Sequence, residues 1–205
     1  MGHAFAVGFG LGFLVALQLG PISLYLIRTT FRNGWEVGVA FALGIAVVDL
    51  GYAALGAAGV APLLAIGPLE TILGLLGAAV LVFLGVRTLR SAFQVRLGDE
   101  APVVSRRRAF VVAVSATASN PLTIASWAAI FSAASAAGAA SSFSTAVLLV
   151  AGVGLGSALW DVALATGTAV VCQFVGDRAL RAVDVIAGAG LLGFGGLLAY
   201  RTLND

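Results

Sequence analysis

Six apolar stretches, each about 20 residues long, follow one another along this 205-residue chain and restrict its fold more than any other feature. They run from Ala4 to Ile27, Val37 to Ala58, Glu70 to Leu89, Ala109 to Ala134, Thr145 to Val171 and Val185 to Tyr200. A helix of about 20 residues crosses a hydrocarbon core of about 30 Å. The period is helical, without the sustained in/out alternation of an outer-membrane barrel. Charged residues make up 10% of the chain, against about 25% in a soluble domain, which leaves too little polar surface to coat a soluble globule. The mean hydropathy of +1.08 agrees. The expected fold is an all-α integral membrane protein with six transmembrane helices. Its 27 glycines suit helices packed closely in lipid, where small residues let backbones approach.

All eleven basic residues are arginine, and they cluster at the ends of the apolar stretches. Ten of them follow the first, third and fifth stretches: Arg28, Arg32, Arg87, Arg90, Arg96, Arg106, Arg107, Arg108, Arg178 and Arg181. Positive charge favours the cytoplasmic side. Those three turns are therefore expected in the cytoplasm and both termini outside, in a bacterial inner membrane. This topology accounts for the pI of about 9.2 without a nucleic-acid partner. The run Arg106–Arg108 reads as a topology anchor touching anionic lipid. The amino terminus lacks a basic leader, and its apolar run is too long for a signal peptide, so it reads as a retained helix. One cysteine, Cys172, and one histidine, His3, exclude a disulfide framework and a Cys/His metal cluster. The glycines Gly8, Gly10 and Gly12 imitate a nucleotide-binding pattern, but no strand precedes them.

Residues 94–108 form the polar linker and divide the chain into a first repeat, 1–93, and a second, 109–205. Three helices per half forces the second half to insert upside down. Weak internal likeness supports such a 3+3 inverted repeat. Gly44 to Asp49 matches Gly156 to Asp161, and Arg87-Thr88-Leu89 matches Arg201-Thr202-Leu203.

The first and fourth stretches are each interrupted, at Gln18-Leu19-Gly20-Pro21 and at Ser119-Asn120-Pro121. Proline removes a backbone hydrogen bond and clashes with the preceding turn. Within a membrane such a break persists only where protein or a wet cavity satisfies the freed carbonyls. Paired breaks in the two halves of a transporter point to its binding site. Gln18 and Asn120 supply uncharged donors and acceptors there, either for a substrate's carboxylate or amine or simply to cap the freed carbonyls. Ser23, Ser115, Thr117, Ser119, Thr123 and Ser126 belong to the same stretches, and such hydroxyls usually bond to their own helix.

Asp49 sits near the centre of the second stretch, where a carboxylate costs about 2.5–3.5 kcal/mol to insert. It is expected to face a partner or a watery cavity. Its two readings are a proton carrier or cation ligand, and a structural hydrogen bond to a neighbouring helix. Tyr52, at i+3, shares its face and is a candidate partner. Asp161 holds the comparable place in the fifth stretch, beside Trp160, which reads as packing. Two such acids near one axis would be coupled, one of them staying protonated. No nucleophile–base arrangement appears, which argues against an enzyme, and no cofactor is implied.

Together these motifs resemble the LysE/RhtB family of amino-acid exporters. The resemblance rests on the glycine-rich lead into Leu19-Gly20-Pro21, where the family has Pro-Gly-Pro. It rests also on Gly38, Gly44, Asp49, Tyr52 and Ala53, on Gly77 through Arg87, and on Asn120 and Pro121. Val183, Asp184, Ala187, Gly188 and Gly195 carry it into the last stretch. Val80 stands where a tyrosine is usual and Leu122 where a lysine is common. The resemblance implies a small inner-membrane secondary exporter, driven by the proton gradient, moving amino acids outward, commonly as a homodimer. The substrate and proton-coupling residues it points to are Gln18, Gly20, Pro21, Asp49, Tyr52, Ser119, Asn120, Pro121 and Asp161. Two alternatives remain at this point: a metal-cation exporter using Asp49 and Asp161 as oxygen ligands, and a non-transporting membrane scaffold. The exporter reading requires Gln18, Pro21, Asp49, Asn120, Pro121 and Asp161 to meet around one cavity.

Overall fold

The structure is a computed structural model. It describes residues 2–17, 20–58, 75, 78–79, 82–83, 85–86, 89–90, 104–120, 123–124, 126–127, 142–174 and 177–204. Among the described residues the chain is helical, with α1 Gly2–Ala16, α2 Pro21–Asn33, α3 Trp35–Ala57, α4 Arg106–Ala118, α5 Phe143–Cys172 and α6 Asp177–Asn204. Two helices are long and apolar enough to cross a membrane, α3 with 23 residues and α5 with 30. The pair α1 and α2 makes a third span if the two are counted as one.

In the first apolar stretch α1 ends at Ala16 and α2 begins at Pro21, and the two helices differ in direction by 77°. Pro21 is the first residue of α2, where its missing N–H is no loss, and Gly20 is the extended residue before it. The residues Arg28 to Gly34, read from the sequence as a basic turn, mostly continue α2 to Asn33. Thr30 Oγ1 donates to the Leu26 carbonyl at 2.9 Å, and Asn33 Nδ2 to the Thr29 carbonyl at 3.1 Å. These bonds extend the helix through residues that favour turns in isolation. The reversal falls on Gly34 alone, with φ 86°, whose N–H closes onto the Thr30 carbonyl. Arg28 lies over the Tyr25 ring, 5.6 Å from its centre.

Three boundaries also move outward. Ser105 caps α4, accepting from the Arg108 N–H at 3.3 Å, so the helix begins inside the expected linker. Ser142 caps α5 in the same way through Thr145. The last helix begins at Asp177, ahead of the expected start of the sixth stretch at Val185.

Packing gives the helices their relative directions. On α1, Ala4, Gly8, Gly12 and Ala16 form a buried stripe. A side chain on Gly8 would run into the Leu149 backbone, and one on Gly12 into that of Val153. From the other side, Gly152 faces Phe5 to Phe9 and Gly156 faces Phe9 to Phe13. Rising numbers meet rising numbers, so α1 and α5 run parallel, backbone against backbone. The glycines dismissed above as a nucleotide pattern therefore form a helix seam, Gly8 to Gly12 against Gly152 to Gly156. In lipid no hydrophobic effect drives helices together, and close approach through small residues takes its place.

By the same reasoning α3 and α5 are antiparallel, since Trp35 Nε1 donates to Thr166 Oγ1 at 3.0 Å while Leu50 packs on Gly154. The helices α3 and α4 are parallel: Glu36 pairs with Arg106, Gly44 meets Phe110 and Ala113, and Tyr52 reaches Ala118. The described residues between 85 and 90 oppose α6, with Gly85 against Leu192 and Leu89 against Gly188.

The core lies where α2, α3 and α4 meet, around Leu26, Phe41, Ala42 and Ala113, with Ala165 and Leu191 closing it. A smaller cluster joins Ala53, Trp127, Leu149 and Val153. Outward faces are equally apolar. Leu43, Val47 and Leu50 on α3, and Leu155 and Leu159 on α5, are exposed. Helices apolar on all sides suit a lipid surround.

Candidate functional site

A cavity of about 60 Å³ lies where α1, α2, α3, α4 and α5 converge. That is room for a few water molecules. The end of α1 contributes Val15 and Ala16, and the break and start of α2 contribute Gly20, Ile22 and Ser23. Ile45 and Asp49 come from α3, Thr117 and Asn120 from the end of α4, Thr123 and Ser126 from just beyond it, and Asp161 from α5. The start of α2 and the end of α4 thus border the cavity that holds both acids. Gly20, Asp49, Asn120 and Asp161 line the same cavity, and Pro21 is buried between two lining residues. Gln18 and Pro121 lie outside the described residues.

Neither aspartate faces lipid: Asp49 and Asp161 are each 2% exposed. Asp49 lies about 20 Å along α3 from Trp35, at a rise of 1.5 Å per residue. Both its oxygens are engaged. Trp127 Nε1 donates to Oδ1 at 2.9 Å, and Ser157 Oγ donates to Oδ2 at 2.5 Å. Ser157, one turn before Asp161 on α5, also lies 3.4 Å from Asp161 Oδ2. Because α3 and α5 are antiparallel, the two carboxylates reach this point from opposite directions, with one hydroxyl between them.

Tyr52 does not bond Asp49. Its hydroxyl donates to the Ala118 carbonyl at 2.7 Å, which has lost its helical partner because α4 ends there. The Asn120 N–H closes onto the Thr117 carbonyl at 3.1 Å, the acceptor that position 121, a proline without an N–H, leaves unserved. A backbone amide and a phenol therefore serve two of the carbonyls at the end of α4. The Asn120 side chain donates from Nδ2 to Thr123 Oγ1 at 3.0 Å. Ser119 donates to the Ser115 carbonyl at 2.5 Å, within its own helix, and does not line the cavity. Trp160 packs edge-on against Phe13, ring centres 5.5 Å apart.

Three polar residues here went unassigned at the sequence level. Trp127 lies in the stretch after the second break, and in lipid an indole N–H needs an acceptor. Ser157 is four residues before Asp161, on the same helix face. Thr117 is buried on the cavity wall, and its hydroxyl has no hydrogen-bond partner among the described residues. No group of three or more His, Cys, Asp or Glu comes together among the described residues, so a cation would have only the two carboxylates for acidic ligands.

Helices of lipid-crossing length, apolar outside and closed around two acids, define a polytopic membrane protein with an internal polar site. The chain belongs to the family of LysE type translocators, whose sequence pattern matches residues 13–202. It is 28% identical over 199 residues to the "Putative amino acid efflux protein YcgF" of Bacillus subtilis (strain 168), covering 95% of this chain and 94% of that one. It is also 36% identical over 121 residues to the "Uncharacterized membrane protein PA4757" of Pseudomonas aeruginosa, 56% of each chain. No solved structure matches.

Proposed function

We propose that this translocator is a secondary exporter of amino acids or closely related small metabolites, driven by the proton gradient, with the Asp49–Asp161 cavity as its binding and coupling site. The observation that carries this reading is the pair of buried carboxylates on one cavity wall, joined through Ser157. Family membership and the efflux protein of Bacillus subtilis support it. A carboxylate inside a membrane is expensive unless it meets a cation or a proton during the working cycle. The cavity offers complementary groups for a zwitterion. The acids suit an ammonium group. The start of α2, with its positive dipole end and the N–H groups of Ile22 and Ser23, suits a carboxylate. The Thr117 hydroxyl, without a partner among the described residues, adds a donor.

The inverted 3+3 repeat, divided at residues 94–108, belongs to this proposal. It is supported by the antiparallel course of α3 and α5, which carry the two matched aspartates, and of α6 and the segment at 85–90. Cytoplasmic placement of the arginine-rich turns follows from positive-inside, and a homodimer from the family.

The test is transport by the purified protein in proteoliposomes, using a panel of radiolabelled amino acids with and without an imposed pH gradient. At least one amino acid is expected to accumulate against its gradient when protons are supplied. Asp49→Asn and Asp161→Asn should insert normally and lose that accumulation. Full activity in both variants would place the coupling site elsewhere.

A further inference from the structure

Among the described residues, Ser157 is the side chain that hydrogen-bonds toward both acids. It is fully buried between them, and it lies at 2.5 Å from one carboxylate and 3.4 Å from the other. A hydroxyl carries a single proton to donate and two lone pairs to accept with. Asp49 has its two oxygens occupied by donors, the Trp127 indole and the Ser157 hydroxyl. The Ser157 proton is spent there, so it cannot also serve Asp161. While Ser157 donates to Asp49, the contact with Asp161 is a hydrogen bond if Asp161 carries the proton and donates it to Ser157 Oγ. One proton held on Asp161 therefore satisfies the whole chain Asp161, Ser157, Asp49.

We propose that Ser157 is a proton relay between the two halves of the transporter, carrying a proton from Asp161 Oδ2 to Asp49 Oδ2. This rests on the exporter reading above. The transfer balances. The O–H bond on Asp161 breaks and one forms on Ser157, while the original Ser157 O–H breaks and one forms on Asp49. The pair keeps one proton and one negative charge throughout the transfer, and release of the proton from Asp49, uptake of another by Asp161 and rotation of the Ser157 hydroxyl reset it. Trp127 holds Asp49 Oδ1, leaving Oδ2 as the receiving atom. A movement of α3 against α5 lengthens the chain at Ser157 and stops the transfer, which links proton passage to helix position.

Of the other titratable groups on the surrounding helices, Tyr52, one turn from Asp49 on α3, feels the charge of that carboxylate, while its hydroxyl is bonded to the Ala118 carbonyl. Glu36 lies at the first turn of α3 with Arg106. The helix α1 carries His3 at its start, α4 carries Arg106, Arg107 and Arg108 at its start, and α5 carries Cys172 at its end. On α2, Tyr25, Arg28 and Arg32 follow the cavity-lining first turn. Residues 123–127 bring Trp127 and no titratable group.

The experiment compares two modes of transport in the same vesicles. Exchange of internal for external amino acid needs no net proton movement, whereas accumulation driven by a pH gradient does. Ser157→Ala is expected to lower gradient-driven accumulation by at least about tenfold more than it lowers exchange, as loss of a proton-transfer group does. Ser157→Thr, which keeps the hydroxyl, should restore the ratio. A Ser157→Ala protein whose two activities fall in step overturns the relay, because a purely structural serine predicts that result. Unchanged gradient-driven accumulation in Ser157→Ala also overturns it and leaves the exporter standing. Wild-type vesicles that neither exchange nor accumulate any amino acid refute the exporter and the relay together.

Discussion

The glycine seam between α1 and α5 predicts a position-dependent response to the smallest possible change, a single methyl group. At Gly8 and Gly12 an added Cβ would collide with the backbones of Leu149 and Val153, including carbonyl oxygens that have no rotamer to retreat into. At Gly10, between them, nothing lies within 4 Å. All three share one helix, so helix propensity favours alanine at each by up to about 1 kcal/mol. Only the steric term differs. Relieving the clash moves the helices apart by about 1 Å, and such a gap forfeits about a quarter to a half of the dispersion energy at each contact it opens. Overpacking of this kind costs about 1–3 kcal/mol, and at about 2–4 °C per kcal/mol for a chain of this size the melting temperature falls by about 2–12 °C. Gly8→Ala and Gly12→Ala should show that fall in a thermal melt of the detergent-solubilised protein, and Gly10→Ala should match or exceed wild type. If all three melt together, the helices do not touch backbone to backbone and the parallel seam is wrong.

Other substitutions test the site's wiring. Trp127→Phe keeps the ring and removes the donor to Asp49 Oδ1; loss of a hydrogen bond to a charged group costs about 1.5–3 kcal/mol, seen as a lower melting temperature and slower transport. Thr117→Val removes a hydroxyl with no partner among the described residues, so stability should hold or rise while KM for the transported amino acid increases; an unchanged KM removes Thr117 from the substrate's surroundings. Glu36→Ala breaks an ion pair whose side chains are 67% and 60% exposed, and such pairs contribute about 0–1 kcal/mol, so its melting curve should overlay that of wild type within about 4 °C.

Much of the site was readable from the sequence because burial of charge in lipid is so unfavourable. Asp49 and Asp161 had to find polar surroundings, and the two proline breaks had to lie where freed carbonyls find partners. Who those partners are was not readable. Tyr52 shares a helix face with Asp49, but the nearer unmet need belongs to the Ala118 carbonyl at the end of α4. Trp127 and Ser157 reach Asp49 across 78 and 108 residues of chain, and a helical period carries no information about which helices become neighbours. The end of α2 was misplaced because Thr30 and Asn33 resemble turn residues until their bonds to the preceding turn are seen. The seam glycines were recognised as small but not as contacts, since their partner is another helix with the same spacing, Gly152 to Gly156.

Gly34 is the whole connection between α2 and α3. With 13 residues, α2 is a lever about 20 Å long, pinned at that end. A swivel of about 10° at Gly34 sweeps its far tip, at Gly20 and Pro21, through about 3 Å, the width of a water molecule. The tip forms part of the cavity wall, so a rotation that shifts Thr30, four residues from the pivot and packed on Gly38, by only about 1 Å is enough to unseat a small solute at the other end.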